Sequence, residues 1–359
     1  MIIEKLIIEN YKNLFLNEIK FNESINIVIG NNGQGKTNLL ESIYFLSTTK
    51  TIKNTNNIIK DNELYCKIKC LVREKRNNLL EVLINNEGKH LKINDNKIEK
   101  SSEFIGKINA VLFIPSEIDL FDGLPQKRRR LVDIELGKLS KDYINHLNSY
   151  NNLLKYRNKV LKEEVVNNEL IEIINEKMFV FQKDIISNRN NFISNINRNI
   201  NKYFNLFLNS NKFIKIEYKS FININEYDYK VRNIYKDNHR RDVFTKTTNV
   251  GIHKDDYIFY IDDKLVVNYA SQGQKRLIIL SFKLALIDYI YEITKDYPIL
   301  LLDDVMSELD LNNQKILLEV IPKEVQTIIT TTHLNKILNI KNYNVITMKD
   351  GTIMEENIW

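Results

Sequence analysis

In the first third of the chain, apolar side chains fall two apart or in short unbroken runs. Residues 2–9 and 13–21 alternate apolar with polar and predict two strands leading into a third, INIVI at 25–29, whose mostly apolar composition predicts burial on both faces. Just beyond it Leu39, Leu40, Ile43, Tyr44 and Leu46 recur at helical spacing. A polar, basic loop follows at 48–62. Strand-like runs at 64–72, 79–84 and 90–94 come next, the last two joined by a short polar turn, as in an antiparallel meander. The run at 108–114 closes this region as a buried strand, ended by Pro115.

The period then lengthens. From Leu124 to Leu208 apolar residues sit at helical spacing, and no proline interrupts the chain between Pro125 and Pro298. This predicts a mostly helical lobe of roughly 130 residues, interrupted by a strand at 213–218 and by a hairpin at 257–267 turning near Asp262-Asp263. The last third returns to α/β. A helix opens at 271–274 and runs to about Ile293, and buried strands are expected at 298–310 and 325–333. A final hairpin at 344–355 turns at Asp350-Gly351.

Composition narrows the classes. The chain of 359 residues is 43% hydrophobic and 27% charged, which fits a globular protein of about two domains. No apolar stretch approaches the length of a membrane span, and Glu4, Lys5 and Glu9 break up the N-terminus too early for a secretory leader. Cys66 and Cys70 are the only cysteines and share one strand face, so they read as buried small residues in a reducing cytoplasm. The net charge of +6 leans basic without settling whether nucleic acid is a partner.

The chemistry begins at GNNGQGKT. Its glycines let successive N–H groups converge on a phosphate, and the helix behind adds its positive dipole end. Gly30, Asn31, Asn32, Gly33, Gln34, Gly35, Lys36, Thr37 and Asn38 form the expected nucleotide loop. Lys36 would reach the β- and γ-phosphates, and Thr37 would bind Mg²⁺. LLLDD at 300–304 supplies the matching strand: Asp303 is the expected second Mg²⁺ ligand, and Asp304 sits where a general base orients or deprotonates water. SQGQ (Ser271, Gln272, Gly273, Gln274) opens a helix about 25 residues before that strand, the layout of an ABC-type signature. Its hydroxyl and amides would bind the γ-phosphate held by a second copy of the chain, so that ATP joins two heads. SELD at 307–310 occupies the place of the loop that crosses such an interface, and His333 that of the switch histidine.

With these pieces the chain resembles the RecF family, DNA-repair ATPases of the bacterial SMC/ABC-like group. The resemblance rests on GNNGQGKTNLLESIYFLS, VLFIPSEIDLFDGLPQKRRRLVDIEL, YNNLLKYRNKVLK, GIHKDD, SQGQKR, LLLDDVMSELD and TTTH, in order along the whole chain. It departs from the family at Ile252, where proline is usual, and at Lys254, where arginine is usual. It implies an α/β, ABC/SMC-type P-loop ATPase head with an inserted helical lobe. Residues 1–115 and 297–359 are expected to form the ATP-binding lobe, and 116–296 the helical lobe carrying the signature. It also implies an ATP-dependent homodimer on DNA, duplex beside single-stranded gaps, which works with RecO and RecR to load RecA and hydrolyses ATP slowly.

Basic groups available for DNA phosphates are Lys127 to Arg130, Arg157 with Lys159 and Lys162, and Arg240 with Arg241. Any one of them also reads as a solvated helix face, and GIHKDD reads as a structural turn or an interface element. Two other readings compete, a nuclease-linked or structural SMC-type clamp and an ABC transporter subunit. A structural SMC-type clamp needs a sustained coiled coil, for which 138–210 is too short and irregular. A nuclease needs a further carboxylate and histidine cluster, and a transporter subunit needs a membrane partner.

Overall fold

The computed structural model describes residues 1–52, 58–74, 77–332 and 343–358. They divide into two compact units: residues 1–118, 199–211 and 272–359 form the first, and residues 119–198 and 212–271 the second. The helix expected in the helical lobe at 272–294 therefore groups with the first unit. Its buried Lys283 donates to Glu117 in the short 3-10 turn Pro115–Ile118 that follows the strand at 110–113 (2.6 Å), which ties it there.

The first unit holds two six-stranded sheets. In one, β1 (Ile2–Tyr11), β2 (Leu14–Lys20), β4 (Tyr65–Arg73), β5 (Asn77–Asn85), β6 (Gly88–Ile93) and β7 (Asn96–Ile98) lie in the order β2-β1-β4-β5-β6-β7. All pair antiparallel. The meander is as expected, with β7 an added edge strand. Cys66 and Cys70 alternate onto the buried face of β4, and burial pushes the Cys66 thiol up to about 12.

The other sheet carries the nucleotide motifs. Its strands are β3 (Ile25–Ile29), β8 (Ala110–Phe113), β12 (Ile299–Leu302), β13 (Thr327–Thr331), β14 (Tyr343–Lys349) and β15 (Thr352–Ile358). Their order is β15-β14-β3-β13-β12-β8, parallel throughout except for β15. β1 and β2 thus lead into β3 along the chain but belong to the other sheet. Strands buried on both faces need continuous apolar runs, and Ile299–Leu302 and Ala110–Phe113 are wholly buried. Parallel neighbours align their C-terminal ends on one edge, which brings Gly30, Asp303 and Thr332 to the same side.

The second unit is helical, with helices Pro125–Leu139, Lys141–Val160, Asn168–Leu208 and Tyr227–Thr245, the third of which runs on into the first unit. A three-stranded sheet, in the order β11-β10-β9, comprises β9 (Ile214–Lys219), β10 (Asp256–Ile261) and β11 (Lys264–Leu265). β10 and β11 form the expected hairpin, with Asp262 and Asp263 both at positive φ, but the chain turns helical at Val266 instead of extending the strand.

The interior of this unit is polar along one seam. Tyr143, Tyr150 and Arg157 lie seven apart on one helix, and Asn175, Gln182 and Arg189 seven apart on the next. Arg157 is fully buried and pairs with Asp242 (2.8 Å), Asn175 (2.7 Å) and Thr248 (2.8 Å). Arg189 pairs with Asp133 (2.9 Å) and Asp255 (3.2 Å). Two of the expected DNA-facing groups are therefore partly structural. Arg157 is interior, and Arg128 is held bidentately by Asp256 (2.7 and 2.9 Å), while Lys159, Lys162, Arg240 and Arg241 remain exposed. GIHKDD forms a turn, closed by Lys254 N–H donating to the Gly251 carbonyl (2.8 Å).

Candidate nucleotide site

β3 ends at Gly30, whose Cα approaches the Met348 carbonyl so closely that a Cβ would lie 2.6 Å from it. The loop then turns through Gly33 and Gly35, at φ 83° and 98°, a region costly for any residue with a Cβ. Asn31, Asn32 and Gly33 are exposed along it, and Gly35 precedes the helix Lys36–Thr48. The Lys36 ammonium folds back over the loop, donating to the carbonyls of Gly30 (2.5 Å) and Asn31 (3.0 Å). Burial lowers its pKa, and the carboxylates of Asp304 and Asp303 act in the opposite sense. An anion arriving in the loop would replace neutral carbonyls with charged oxygens as partners of that ammonium.

One turn of chemistry is built across the sheet. The Thr37 hydroxyl donates to the Asp303 carboxylate (2.9 and 3.0 Å), which also accepts from the Thr330 hydroxyl (2.7 Å). Burial raises the Asp303 pKa, while the hydroxyls of Thr330 and Thr37 favour the ionised form. A hydroxyl and a carboxylate this close are hard oxygen donors of the kind Mg²⁺ takes when phosphates and water complete its shell. Among the described residues no group of three or more His, Cys, Asp and Glu side chains is placed to hold a metal ion, so this pair is no all-protein cage.

Asp304 differs from its neighbour. Its backbone is left-handed (φ 49°), and its Oδ1 is buried with no hydrogen-bond partner among the described residues. A strained residue carrying an unsatisfied buried oxygen is poised to accept a proton or orient water. His333 lies outside the described residues.

Ser271, Gln272 and Gly273 are exposed and Gln274 half-buried at the start of the helix Gln272–Thr294. Arg276, on its first turns, pairs with Glu308 of the SELD segment. Asp310 then caps the helix Leu311–Val320 by accepting from Asn313 N–H (2.8 Å). Signature and SELD segments are thus joined within one chain.

Several residues around the loop carry no sequence signal. Asn13, in the β1–β2 turn, donates to the Gly33 carbonyl (3.3 Å) and accepts from Asn38 (2.8 Å). Lys12 reaches Asn38 (3.3 Å) and forms an ion pair with Glu41 on the same helix. Thr330 bridges both acids. Only the threonine run before His333 hinted at it.

A glycine phosphate loop, a facing carboxylate strand and a helix-initiating SQGQ on a parallel sheet define an ABC/SMC-type ATPase head. A model of the RecF/RecN/SMC N-terminal domain matches residues 2–355. The chain is 38% identical to the DNA replication and repair protein RecF of Streptococcus thermophilus, over all of both chains. It is likewise 38% identical to that of Streptococcus equi subsp. equi, over 100% of this chain and 99% of the relative. A solved structure of the recombination mediator protein RecF–ATP in the RecFOR pathway superposes with a TM-score of 0.90 at 30% identity, covering 99% of this chain and 97% of that one. An Smc head bound to the C-winged helix domain of ScpA shares the fold at a TM-score of 0.57 and 17% identity. The chain belongs to the RecF family.

Proposed function

We propose that the protein is an ATP-dependent DNA-binding factor of recombinational repair. ATP binding joins two heads on DNA, at duplex beside single-stranded gaps, and slow hydrolysis releases them. The observation that carries this reading is the convergence of Lys36, Thr37 and Asp303 on one edge of the sheet, with Asp304, whose Oδ1 has no partner among the described residues, beside them.

The loop amides from Gly30 to Asn38 and the Lys36 ammonium would bind the phosphates of ATP. Mg²⁺, held by Thr37 and Asp303, would supply charge neutralisation at the phosphate oxygens when bound. Asp304 would orient the attacking water and accept its proton, and His333 would contact the γ-phosphate from the strand end. Ser271 to Gln274 would complete the site of a second copy, since they open the helix Gln272–Thr294 and Ser271, Gln272 and Gly273 are exposed residues. DNA would be held by phosphate contacts from exposed basic residues such as Lys159, Lys162, Arg240 and Arg241. The RecFOR-pathway structure supports RecO and RecR as partners, with which the protein would help to load RecA.

Light scattering of Ser271→Arg protein with and without ATP tests the shared site. A guanidinium at 271 should leave nucleotide binding by the single chain within threefold of wild type but abolish ATP-dependent dimerisation. Mixing with Lys36→Ala protein should restore at most one site per heterodimer. Loss of nucleotide binding by the isolated Ser271→Arg chain would place the signature in its own chain's site and overturn the two-headed reading.

A further inference from the structure

β13 runs between the nucleotide-loop strand β3 and the carboxylate strand β12, in register Thr330 to Val28 on one side and Ile329 to Leu302 on the other. Thr330 is therefore one residue beyond the last paired position with β12, level with the point where that chain leaves the sheet as Asp303-Asp304. Its side chain is fully buried. A buried hydroxyl must spend its one proton and at least one lone pair, and here both go to the two acids. The proton goes to Asp303 Oδ1 (2.7 Å), and the oxygen accepts the Asp304 backbone N–H (3.0 Å).

The two bonds do different work. The first turns the Asp303 carboxylate. Thr37 donates to the same group, but its hydroxyl would also offer a lone pair to a bound cation, whereas the buried Thr330 hydroxyl would not. The second bond anchors the main chain where it enters the left-handed conformation of Asp304. That conformation is unfavourable for an L residue with a side chain and persists only where neighbours hold it. It also sets the direction in which the Asp304 side chain leaves the backbone, and hence where its unpartnered Oδ1 lies.

The geometry points to Thr330 as a positioning residue for both acids: one hydroxyl sets the metal-side carboxylate and the conformation of the water-side carboxylate together. This inference rests on the ATP reading above. It assigns Thr330 no contact with nucleotide. Its prediction is that the two functions attributed to Asp303 and Asp304 fail together when a single hydroxyl outside the nucleotide loop is removed.

Thr330→Val tests it, because valine keeps the β-branched shape that suits a strand and deletes donor and acceptor alike. Wild type, Thr330→Val and Thr330→Ser would be compared as full chains. Binding of a fluorescent N-methylanthraniloyl-ATP would be followed in EDTA and across a MgCl₂ titration, with steady-state turnover and thermal melting alongside. Loss of a group that orients a metal ligand typically costs 10–100-fold in metal affinity or activity. Thr330→Val should bind the analogue in EDTA as wild type does, need about 10–100-fold more Mg²⁺ for half-saturation, and lose turnover by a similar factor. Thr330→Ser, which keeps the hydroxyl, should stay within about threefold on both readouts.

Wild-type Mg²⁺ dependence and turnover in Thr330→Val would overturn the proposal while leaving the ATP reading intact. A serine variant as impaired as valine would overturn it too, since the methyl group and not the hydroxyl would then matter. Should the valine variant not fold, Thr330→Cys carries the test: its weakly bonding thiol should give an intermediate rise in the Mg²⁺ requirement, and wild-type behaviour would sink the idea. Failure of wild type itself to bind the analogue would overturn both this proposal and the ATP reading.

Discussion

The backbone N–H of Gly351 donates to the carbonyl of Gln34 at 3.2 Å, so the turn of the last hairpin holds the middle of the phosphate loop. The Asp350 N–H also donates to the Gln34 side chain, and Phe15 N–H donates to the Gly351 carbonyl (3.1 Å). Two segments far from it in sequence, the β1–β2 region and the last hairpin turn, thus brace the loop. Glycine is required at 351 for two reasons: its φ is 75°, and a Cβ would lie 2.0 Å from the Asn13 carbonyl oxygen.

Gly351→Ala is expected to destabilise the protein by about 1–3 kcal/mol, the typical cost of one such strained residue, and to weaken ATP binding because Gln34 loses its brace. Thermal melting and nucleotide titration check it. Asp350→Gly, at a position whose φ of 51° glycine adopts freely, should leave both unchanged.

Lys36→Ala should lose ATP affinity by about 10–100-fold, the value of a charged hydrogen-bonding partner. The fold should persist, since among the described residues the ammonium bonds two carbonyls of the loop itself. Isothermal titration alongside melting separates the two. A melting point that falls with affinity would mean that Lys36 supports the loop and not the ligand.

Asp304→Asn preserves size but removes the basic oxygen that lies without a partner. Turnover should fall by about 10²–10⁴-fold, the range for loss of a general base, while ATP affinity stays near wild type. The ATP-bound dimer should accumulate in light scattering. Equal loss of binding and turnover would reassign Asp304 to the metal.

Stability should depend on His253. Its Nδ1 accepts from the Tyr150 hydroxyl (2.7 Å), and its Nε2–H donates to the Thr248 carbonyl (3.0 Å), an arrangement suited to the neutral ring. Burial lowers its pKa from 6.5 to about 4; the Thr248 bond opposes this, and the charges of Lys254, Arg129 and Arg157 add to it. The unfolded chain therefore binds the extra proton first. The contribution is fully present above pH 6.5 and is lost as pH falls toward 4, roughly 3 kcal/mol in total. Urea midpoints at pH 7.5 and 5.0 should differ less in His253→Gln than in wild type.

The buried ion pairs of the second unit should answer mutation in the opposite way to surface charges. Arg157→Met leaves Asp242 uncompensated in a fully buried position, which costs about 3–5 kcal/mol. The double variant Arg157→Met with Asp242→Leu should recover most of that in urea unfolding.

By itself the sequence determined what is local. The loop from Gly30 to Asn38 needs its residues within one turn of strand and helix, and LLLDD needs only a strand that ends in two acids, so spacing along the chain carries both. The hairpin turns at Asp262-Asp263 and Asp350-Gly351 were equally legible, because positive φ selects those residue types at those two places. Tertiary structure decided whatever depends on a partner from elsewhere in the chain. Arg157 and Arg128 read as surface cations until Asp242 and Asp256, at 85 and 128 residues' remove, supplied the charges that make their burial possible. That Tyr143, Tyr150 and Arg157 line a buried polar seam was decided by the packing of their helix and not by its sequence. β1 and β2 precede β3 yet join another sheet, since antiparallel pairing with β4 is set by register and not by chain order. Thr330 became significant only when β13 was placed between β3 and β12: a hydroxyl can serve two acids only where the sheet brings all three groups within hydrogen-bonding distance.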